Sequence, residues 1–196
     1  MTLALMIYSR RRFAIGLVAS LAFSGWSRAK ESLPLDAGSL KTGVIVRGTG
    51  YEGVIFDASE ARLIRSFVDG DVHGFWTPSE GDVVLFERNL RPALEAGIQE
   101  PDILSPTEPD RVYRRVLPQH LRTILERLPN YRRQYFGVVG SNDVKRLFVS
   151  LFPASAEDNT WTRRYVFVFD GGTSYWRIQF DLASQRFLHF NTNGFA

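Results

Sequence analysis

The C-terminal part of the chain alternates large apolar and polar side chains with a period of two. The alternation covers four stretches that are separated by Gly-, Ser- and Asp-containing segments. Aromatic and β-branched residues in such stretches favour β-strands. The predicted strands are residues 144–152, 163–170, 175–182 and 186–192. The last three are close enough in sequence to pair as an antiparallel meander through turns at 171–174 and 183–185.

The lengths of these two turns predict the register of the meander. A three-residue turn at 183–185 places Trp176 opposite Thr192 and Gln179 opposite His189, and a four-residue turn at 171–174 places Phe167 opposite Ile178. Because side chains alternate between the faces of a sheet, both registers place one apolar set on a single face. That set comprises Tyr165, Phe167, Phe169, Trp176, Ile178, Phe180, Leu188 and Phe190.

The apolar face has to be covered by other parts of the chain. Burial of a large apolar side chain stabilises a fold by about 1.5–3 kcal/mol, whereas an exposed ion pair contributes about 0–1 kcal/mol. We therefore predict an α+β domain, with an antiparallel sheet of about four strands at the C-terminus and helices packed on one face. The opposite face is mixed in character and is expected to face solvent. It carries Arg164, Val166, Val168, Arg177, Gln179, Asp181, Phe187, His189 and Asn191.

Two upstream helices are predicted to cover the sheet. The first begins at Thr77-Pro78-Ser79-Glu80, where Thr77 is the expected N-cap of a capping box, and continues to Gly97 with a kink or a break near Pro92. The second is expected to begin at Pro118 and to end near Pro129. Its apolar face consists of Leu121, Ile124, Leu125 and Leu128.

Further towards the N-terminus the pattern is weaker. Residues 44–46 and 54–56 are short apolar runs on either side of a Gly-rich segment, which predicts a hairpin. Residues 59–67 are expected to form a helical turn.

The first 29 residues have the pattern of a targeting segment. Arg10, Arg11 and Arg12 precede an eleven-residue apolar run that is too short to span a bilayer. Ser9-Arg10-Arg11-Arg12-Phe13 resembles the twin-arginine export motif, and an ordinary secretory signal is the alternative. Cleavage is expected after Ser24 or Ala29. The predicted organisation is therefore a signal peptide at 1–29, a polar leader at 30–42 and one α+β domain at 43–196, located in the periplasm or secreted.

Removal of the signal peptide changes the electrostatic character of the chain. The segment holds four of the 24 basic residues and none of the 21 acidic ones, so the formal charge falls from +3 to −1. A basic isoelectric point of the precursor therefore gives no reason to expect a nucleic-acid partner. Residues 111–133 contain seven Arg and one Glu, but residues 80–110 have a net charge of −6 and are expected to neutralise them.

Motifs of the common catalytic and cofactor sites are missing from the sequence. The chain has no Cys, no phosphate-binding or dinucleotide-binding glycine motif and no G-x-S-x-G elbow, so no cofactor is predicted. Asp69, Asp71 and His73 alternate as metal ligands would, but no second cluster completes a coordination shell, and a solvated turn is the preferred interpretation.

A set of polar side chains on the mixed face is the candidate ligand site. The predicted register brings together Arg177, Gln179, His189 and Asn191. One cation, two amides and an imidazole suit a carboxylate or a sugar-like ligand.

Several motifs together resemble a family of uncharacterised small exported bacterial proteins. They are Phe75-Trp76-Thr77-Pro78, Arg133-Gln134-Tyr135-Phe136-Gly137, and a C-terminal block with Asp170-Gly171-Gly172, Tyr175-Trp176 and Asn193-Gly194-Phe195-Ala196. The layout is also similar to cystatin-like and NTF2-like folds. The resemblance implies export and a helix-on-sheet fold, and it implies no established activity.

We therefore predict an exported, non-catalytic binding protein for an envelope partner or a small anionic or polar ligand. One alternative is a small hydrolase or isomerase that uses His189 with Asp181 or Asp170 in a sheet pocket. Another is a structural envelope protein that binds no small ligand.

Overall fold

A computed structural model of the chain describes residues 43–104, 111–155 and 159–194. The predicted signal peptide and leader, residues 1–42, lie outside these ranges, as do residues 195 and 196.

Seven strands and three α-helices are found in the described part of the chain, which makes the fold α+β, as predicted. In chain order they are β1 (Val44–Gly48), β2 (Tyr51–Ile55), α1 (Ala58–Ala61), β3 (Gly74–Trp76), α2 (Glu80–Gln99), α3 (Arg111–Arg127), β4 (Tyr131–Val139), β5 (Lys145–Pro153), β6 (Trp176–Asp181) and β7 (Arg186–Thr192). A 3₁₀ helix, Arg62–Phe67, continues α1.

The strands form one mixed sheet in the order β1-β2-β4-β5-β6-β7, and β3 pairs with β4. The pairing of β2 with β4 is parallel, and all other pairings are antiparallel. β4 is therefore central: β2 and β3 lie along one of its edges and β5 along the other.

The prediction of a strand over residues 163–170 is wrong. The strand beside β6 is β5, in the place predicted for residues 163–170. Leu151 lies opposite Trp176 and Val149 opposite Ile178. Residues 161–168 instead run across the reverse face of the sheet, where the buried Gln134 binds their backbone. Its Nε2 donates to the carbonyl oxygens of Trp161 and Arg164, and its Oε1 accepts from the amide of Val166.

Both faces of the sheet are covered, so the prediction of a solvent-facing reverse side is also wrong. On one face, α2 and α3 pack on a core that includes Phe86, Leu121 and Trp176. On the other face, the α1 region and residues 161–168 cover a second core around Phe136 and Phe148. Tyr165 and Phe167 belong to this second side, where both rings lie against Phe67.

The register of β6 and β7 is predicted correctly at one end only. Trp176 pairs with Thr192 and Arg177 with Asn191, as expected. The register then shifts by one residue, so that Gln179 pairs with Leu188 instead of His189. A β-bulge of this kind moves the following side chains to the opposite face. Phe187, expected on the polar side, consequently lies in the core beneath the helices.

Helix α2 begins later than predicted, and helix α3 begins earlier. The N-cap of α2 is Ser79 and its capping box is completed by Asp82, whereas Thr77 Oγ1 accepts a hydrogen bond from Ala58 N. α2 continues through Pro92 to Gln99 without the expected break. α3 likewise includes Pro118 inside the helix. The predicted N-terminal hairpin is confirmed as β1 and β2, with Gly50 in the left-handed conformation at its turn.

Strand β4 was not anticipated from the sequence, because two arginines lie in its first half. Arg133 is only 1% exposed, and Glu87 of α2 accepts hydrogen bonds from it and from Tyr135. Burial raises the pKa of Glu87, although the Arg133 guanidinium opposes this change. Burial also raises the pKa of the Tyr135 hydroxyl well above its ordinary value. This buried polar cluster fixes α2 to the centre of the sheet.

Candidate functional site

Arg177 and Asn191 form the base of the candidate site. They are paired neighbours on β6 and β7. Because Trp176 and Ile178 point into the core beneath the helices, Arg177 points to the reverse face. The two polar side chains are thus held side by side by strand geometry alone.

A loop formed by residues 68–73 crosses this face and covers much of the polar set. The Asp69 carboxylate accepts from Arg177 Nε at 3.1 Å, and the Asp69 carbonyl accepts from Gln179 Nε2. The carbonyl of Asp71 accepts from an Arg146 guanidinium nitrogen at 2.8 Å, and Arg146 also donates to Gln179 Oε1 at 3.2 Å. Gln179 and Arg146 therefore hold the loop on the sheet, and their side chains donate hydrogen bonds to its backbone.

His189 lies at the bulge, with a backbone φ of 52°. Its imidazole is so close to Gly70 that a Cβ on that residue would lie 2.7 Å from Nε2. Burial and the charge of Arg146 lower the pKa of His189, and Asp69 opposes this change. The imidazole is therefore neutral at neutral pH and packs against the loop.

No hydrogen bond or ion pair joins His189 to Asp181 or Asp170 in the described ranges. Asp181 instead accepts hydrogen bonds from the amides of Ala183 and Ser184 in the turn that follows β6. Burial works against ionisation of this carboxyl, yet the hydrogen bonds from Ser184 and Ala183 lower its pKa. Asp170 lies in an isolated bridge with Gly194.

Arg177 and Asn191 open into a cleft of about 420 Å³, which we call the Arg177 cleft. Its lining consists of Ser66, Phe67, Asp69, Phe167, Val168, Phe169, Arg177, Asn191, Thr192, Asn193 and Gly194. Three of these residues form an aromatic wall. The Phe167 ring lies 4.6 Å from that of Phe67 and 5.1 Å from that of Phe169, measured between centroids, and Phe169 is 75% exposed. The cleft thus combines a cationic base with an accessible aromatic surface.

Of the four site residues predicted from sequence, two line this cleft and two do not. Arg177 and Asn191 are in the lining, whereas Gln179 and His189 lie beneath or beside the 68–73 loop. Sequence reasoning missed the contribution of Asn193, whose side-chain amide donates to the carbonyl of Val168. No local pattern marks this role, because it depends on where residues 163–170 run.

The second candidate group, Asp69, Asp71 and His73, joins the same region without forming a metal site. Asp69 is paired with Arg177, while Asp71 contacts His73 at 2.8 Å and accepts from the Ser141 hydroxyl. The hydrogen bond from Ser141, followed by that from His73, lowers the pKa of Asp71. Within residues 43–104, 111–155 and 159–194, no group of three or more His, Cys, Asp or Glu side chains is placed to hold a metal ion.

The arginine-rich segment is partly neutralised by acidic residues of the preceding region. Arg133 pairs with Glu87 at 3.2 Å, and Arg114 pairs with Asp102 at 3.2 Å. Arg122 and Arg127 are exposed on α3. None of the described helices combines the length and the apolar character that are needed to cross a bilayer.

Comparisons with protein-family models, with curated proteins and with solved structures found no match to this chain.

Proposed function

We propose that this protein is an exported, non-catalytic binding protein that takes a small ligand bearing a carboxylate into the Arg177 cleft. The observation that carries this proposal is the position of Arg177, a guanidinium at the base of a cleft whose wall is aromatic. A sugar acid is the ligand that fits this combination best.

The hydrogen-bonding state of Arg177 supports an anionic ligand. Its Nε is engaged by Asp69, and among the described residues its two terminal nitrogens have no protein acceptor. A guanidinium with both terminal nitrogens open matches the two oxygens of a carboxylate. The ion pair with Asp69 also fixes the orientation of the guanidinium, so less conformational freedom is lost on binding.

The remaining lining supports a ligand with hydroxyl groups and one flat apolar side. Asn191 offers both a donor and an acceptor next to Arg177. The exposed Phe169 ring, supported by Phe167, provides the flat surface.

The described lining of the Arg177 cleft offers a guanidinium, amides and aromatic rings, which are groups that hold a ligand. His189 is not among the lining residues, and its imidazole packs against Gly70.

Export is supported by the twin-arginine-like motif at Ser9 to Phe13 and by the resemblance to small exported bacterial proteins.

Titration calorimetry with sodium glucuronate and with glucose tests the ligand class. We expect glucuronate to bind and glucose to bind at least tenfold more weakly, because hydrogen bonds to a charged group are worth about 1.5–3 kcal/mol. Arg177→Ala and Asn191→Ala should each weaken glucuronate binding, the former by tenfold or more.

Arg186→Ala is the matched control, since Arg186 is an exposed arginine on β7 that does not line the cleft. It should bind glucuronate as the wild type does. Unchanged affinity in Arg177→Ala would remove this cleft from consideration and return attention to the exposed arginines of α3.

A further inference from the structure

A second cleft lies where β1 and β2 meet the starts of α1 and α2. It encloses about 290 Å³ and is lined by Gly43, Val44, Ile55, Asp57, Glu60, Thr77, Pro78 and Glu80. We call it the Glu60 cleft. Its described lining residues are all different from those of the Arg177 cleft.

Glu60 is the unusual residue of this cleft. It is only 6% exposed, and its Oε2 is buried with no hydrogen-bond partner among the described residues. Buried carboxylates are almost always paired or hydrogen-bonded, because transfer of an unpaired charge from water is costly. The free oxygen of Glu60 therefore points to a donor that the described part of the chain does not supply.

The charge of the lining specifies the kind of donor. Three carboxylates, those of Asp57, Glu60 and Glu80, lie around the cleft, and none of the described lining residues is Lys, Arg or His. Asp57 is engaged as the N-cap of α1, where its Oδ1 accepts from the amides of Ser59 at 2.8 Å and Glu60 at 3.0 Å. Glu60 and Glu80, which is exposed, remain to attract a cation.

The apolar part of the lining specifies the rest of the ligand. Val44, Ile55 and Pro78 contribute aliphatic surface beside the carboxylates, and Val44 is 59% exposed in the chain alone. An ammonium group is a compact donor with three N–H bonds, and its alkyl chain can lie along aliphatic surface. A bare metal ion would need several ligands around it, and no such group is formed in the described residues.

We propose that the Glu60 cleft binds a primary aliphatic amine, with the ammonium group donating to Glu60 Oε2 and the alkyl chain lying against Val44, Ile55 and Pro78. This site is separate from the proposed carboxylate site and does not depend on it.

Binding of pentylamine hydrochloride to the full chain tests the proposal, measured by calorimetry and by thermal denaturation. We expect saturable binding of one amine per chain and a higher melting midpoint in its presence. Pentan-1-ol, which has the same alkyl chain and no charge, should bind at least tenfold more weakly. Equal binding of the alcohol and the amine would overturn the role of the carboxylate.

Glu60→Gln keeps the shape of the side chain and removes its charge. We expect it to lose at least tenfold in amine affinity and, without amine, to melt at the same temperature as the wild type or higher, because an unpaired buried charge has been removed. Glu95→Gln is the control: this glutamate is exposed on α2 and pairs with Arg91, so amine binding should be unchanged.

Two results would overturn the proposal. One is unchanged amine affinity in Glu60→Gln. The other is a clearly lower melting midpoint, or failure to fold, of Glu60→Gln without amine, which would show that the carboxylate already has a partner within the chain.

Discussion

His189 shows how one residue connects the sheet to the loop above it. Its left-handed backbone, with a φ of 52°, accompanies the one-residue shift between β6 and β7. The shift directs the imidazole towards Gly70, where the absence of a side chain allows the close contact. Protonation of His189 would place a cation near Arg146, whose charge already lowers the pKa of the imidazole.

This arrangement predicts a pH dependence of stability. Because the pKa of His189 is lower in the folded chain, the unfolded chain binds more protons between that value and about 6.5. Stability is therefore fully present above about pH 6.5 and falls as the pH drops from there through the folded pKa. Denaturant melts between pH 5 and pH 8 should show this loss in the wild type and a smaller loss in His189→Asn.

Asn is the replacement of choice because it tolerates a positive φ. Two other groups contribute to the absolute profile: burial lowers the pKa of His120, which acts in the same direction, and burial raises the pKa of Glu87, which acts in the opposite one. The difference between the two profiles isolates His189. Identical pH profiles of the wild type and His189→Asn would contradict the lowered pKa of His189.

At the scale of elements, one face of strand β6 packs in the core and the other face lines the Arg177 cleft. Trp176 is 2% exposed and packs edge-on against Tyr131, with its ring centroid 5.8 Å away, and against Phe190. Arg177, the next residue, points to the cleft on the opposite face. One strand thus contributes to the core and to the site through alternate residues.

Substitutions at these two positions should separate stability from binding. Trp176→Ala should cost about 3–5 kcal/mol of unfolding free energy, because it leaves a large cavity. Arg177→Ala, which removes a partly exposed ion pair with Asp69, should cost about 1 kcal/mol or less. Urea melts measure both values, and the reverse order would show that the faces are assigned to the wrong residues.

Periodicity was sufficient to predict the elements whose apolar residues follow a simple repeat. α2, the end of α3, the β1–β2 hairpin and strands β5 to β7 are of this kind. β4 was missed because the burial of Arg133 depends on Glu87, 46 positions earlier in the chain. The alternation of residues 163–170 fits a strand, which is why the sequence predicts one there. Gln134 binds the backbone at Arg164 and Val166, and this contact is not visible in the local pattern.

The candidate site, like the fold, could be predicted from the sequence only in part. The short turn between β6 and β7 correctly placed Arg177 beside Asn191. It did not place His189, because the turn is four residues long, 182–185, with Asp181 opposite Arg186. The β-bulge between Arg177 and Gln179 offsets this extra residue, so the predicted pairing holds only at Trp176 and Arg177. The closure of the site by Asp69 depends on a contact between residues 108 positions apart, which turn geometry does not address.

For the whole molecule, the export prediction concerns residues outside the described ranges. Replacement of Arg10 and Arg11 by Lys should leave the full-length precursor in the cytoplasm if the twin-arginine machinery recognises the pair. Cell fractionation with mass spectrometry of the recovered chain measures both the location and the cleavage site. Arg28→Lys, outside the motif, is the control, and normal export of the double variant would indicate general secretion instead.

The parallel pairing of β2 with β4 also has a consequence for how the chain folds. Glu52 lies opposite Arg132, a separation of 80 positions, whereas β4 to β7 follow one another in antiparallel order. Contacts that close a long loop lose more chain entropy before they gain any pairing energy. We therefore expect the meander of β4 to β7 to form first and the N-terminal hairpin to dock late, which makes the completion of the sheet the slow step of folding.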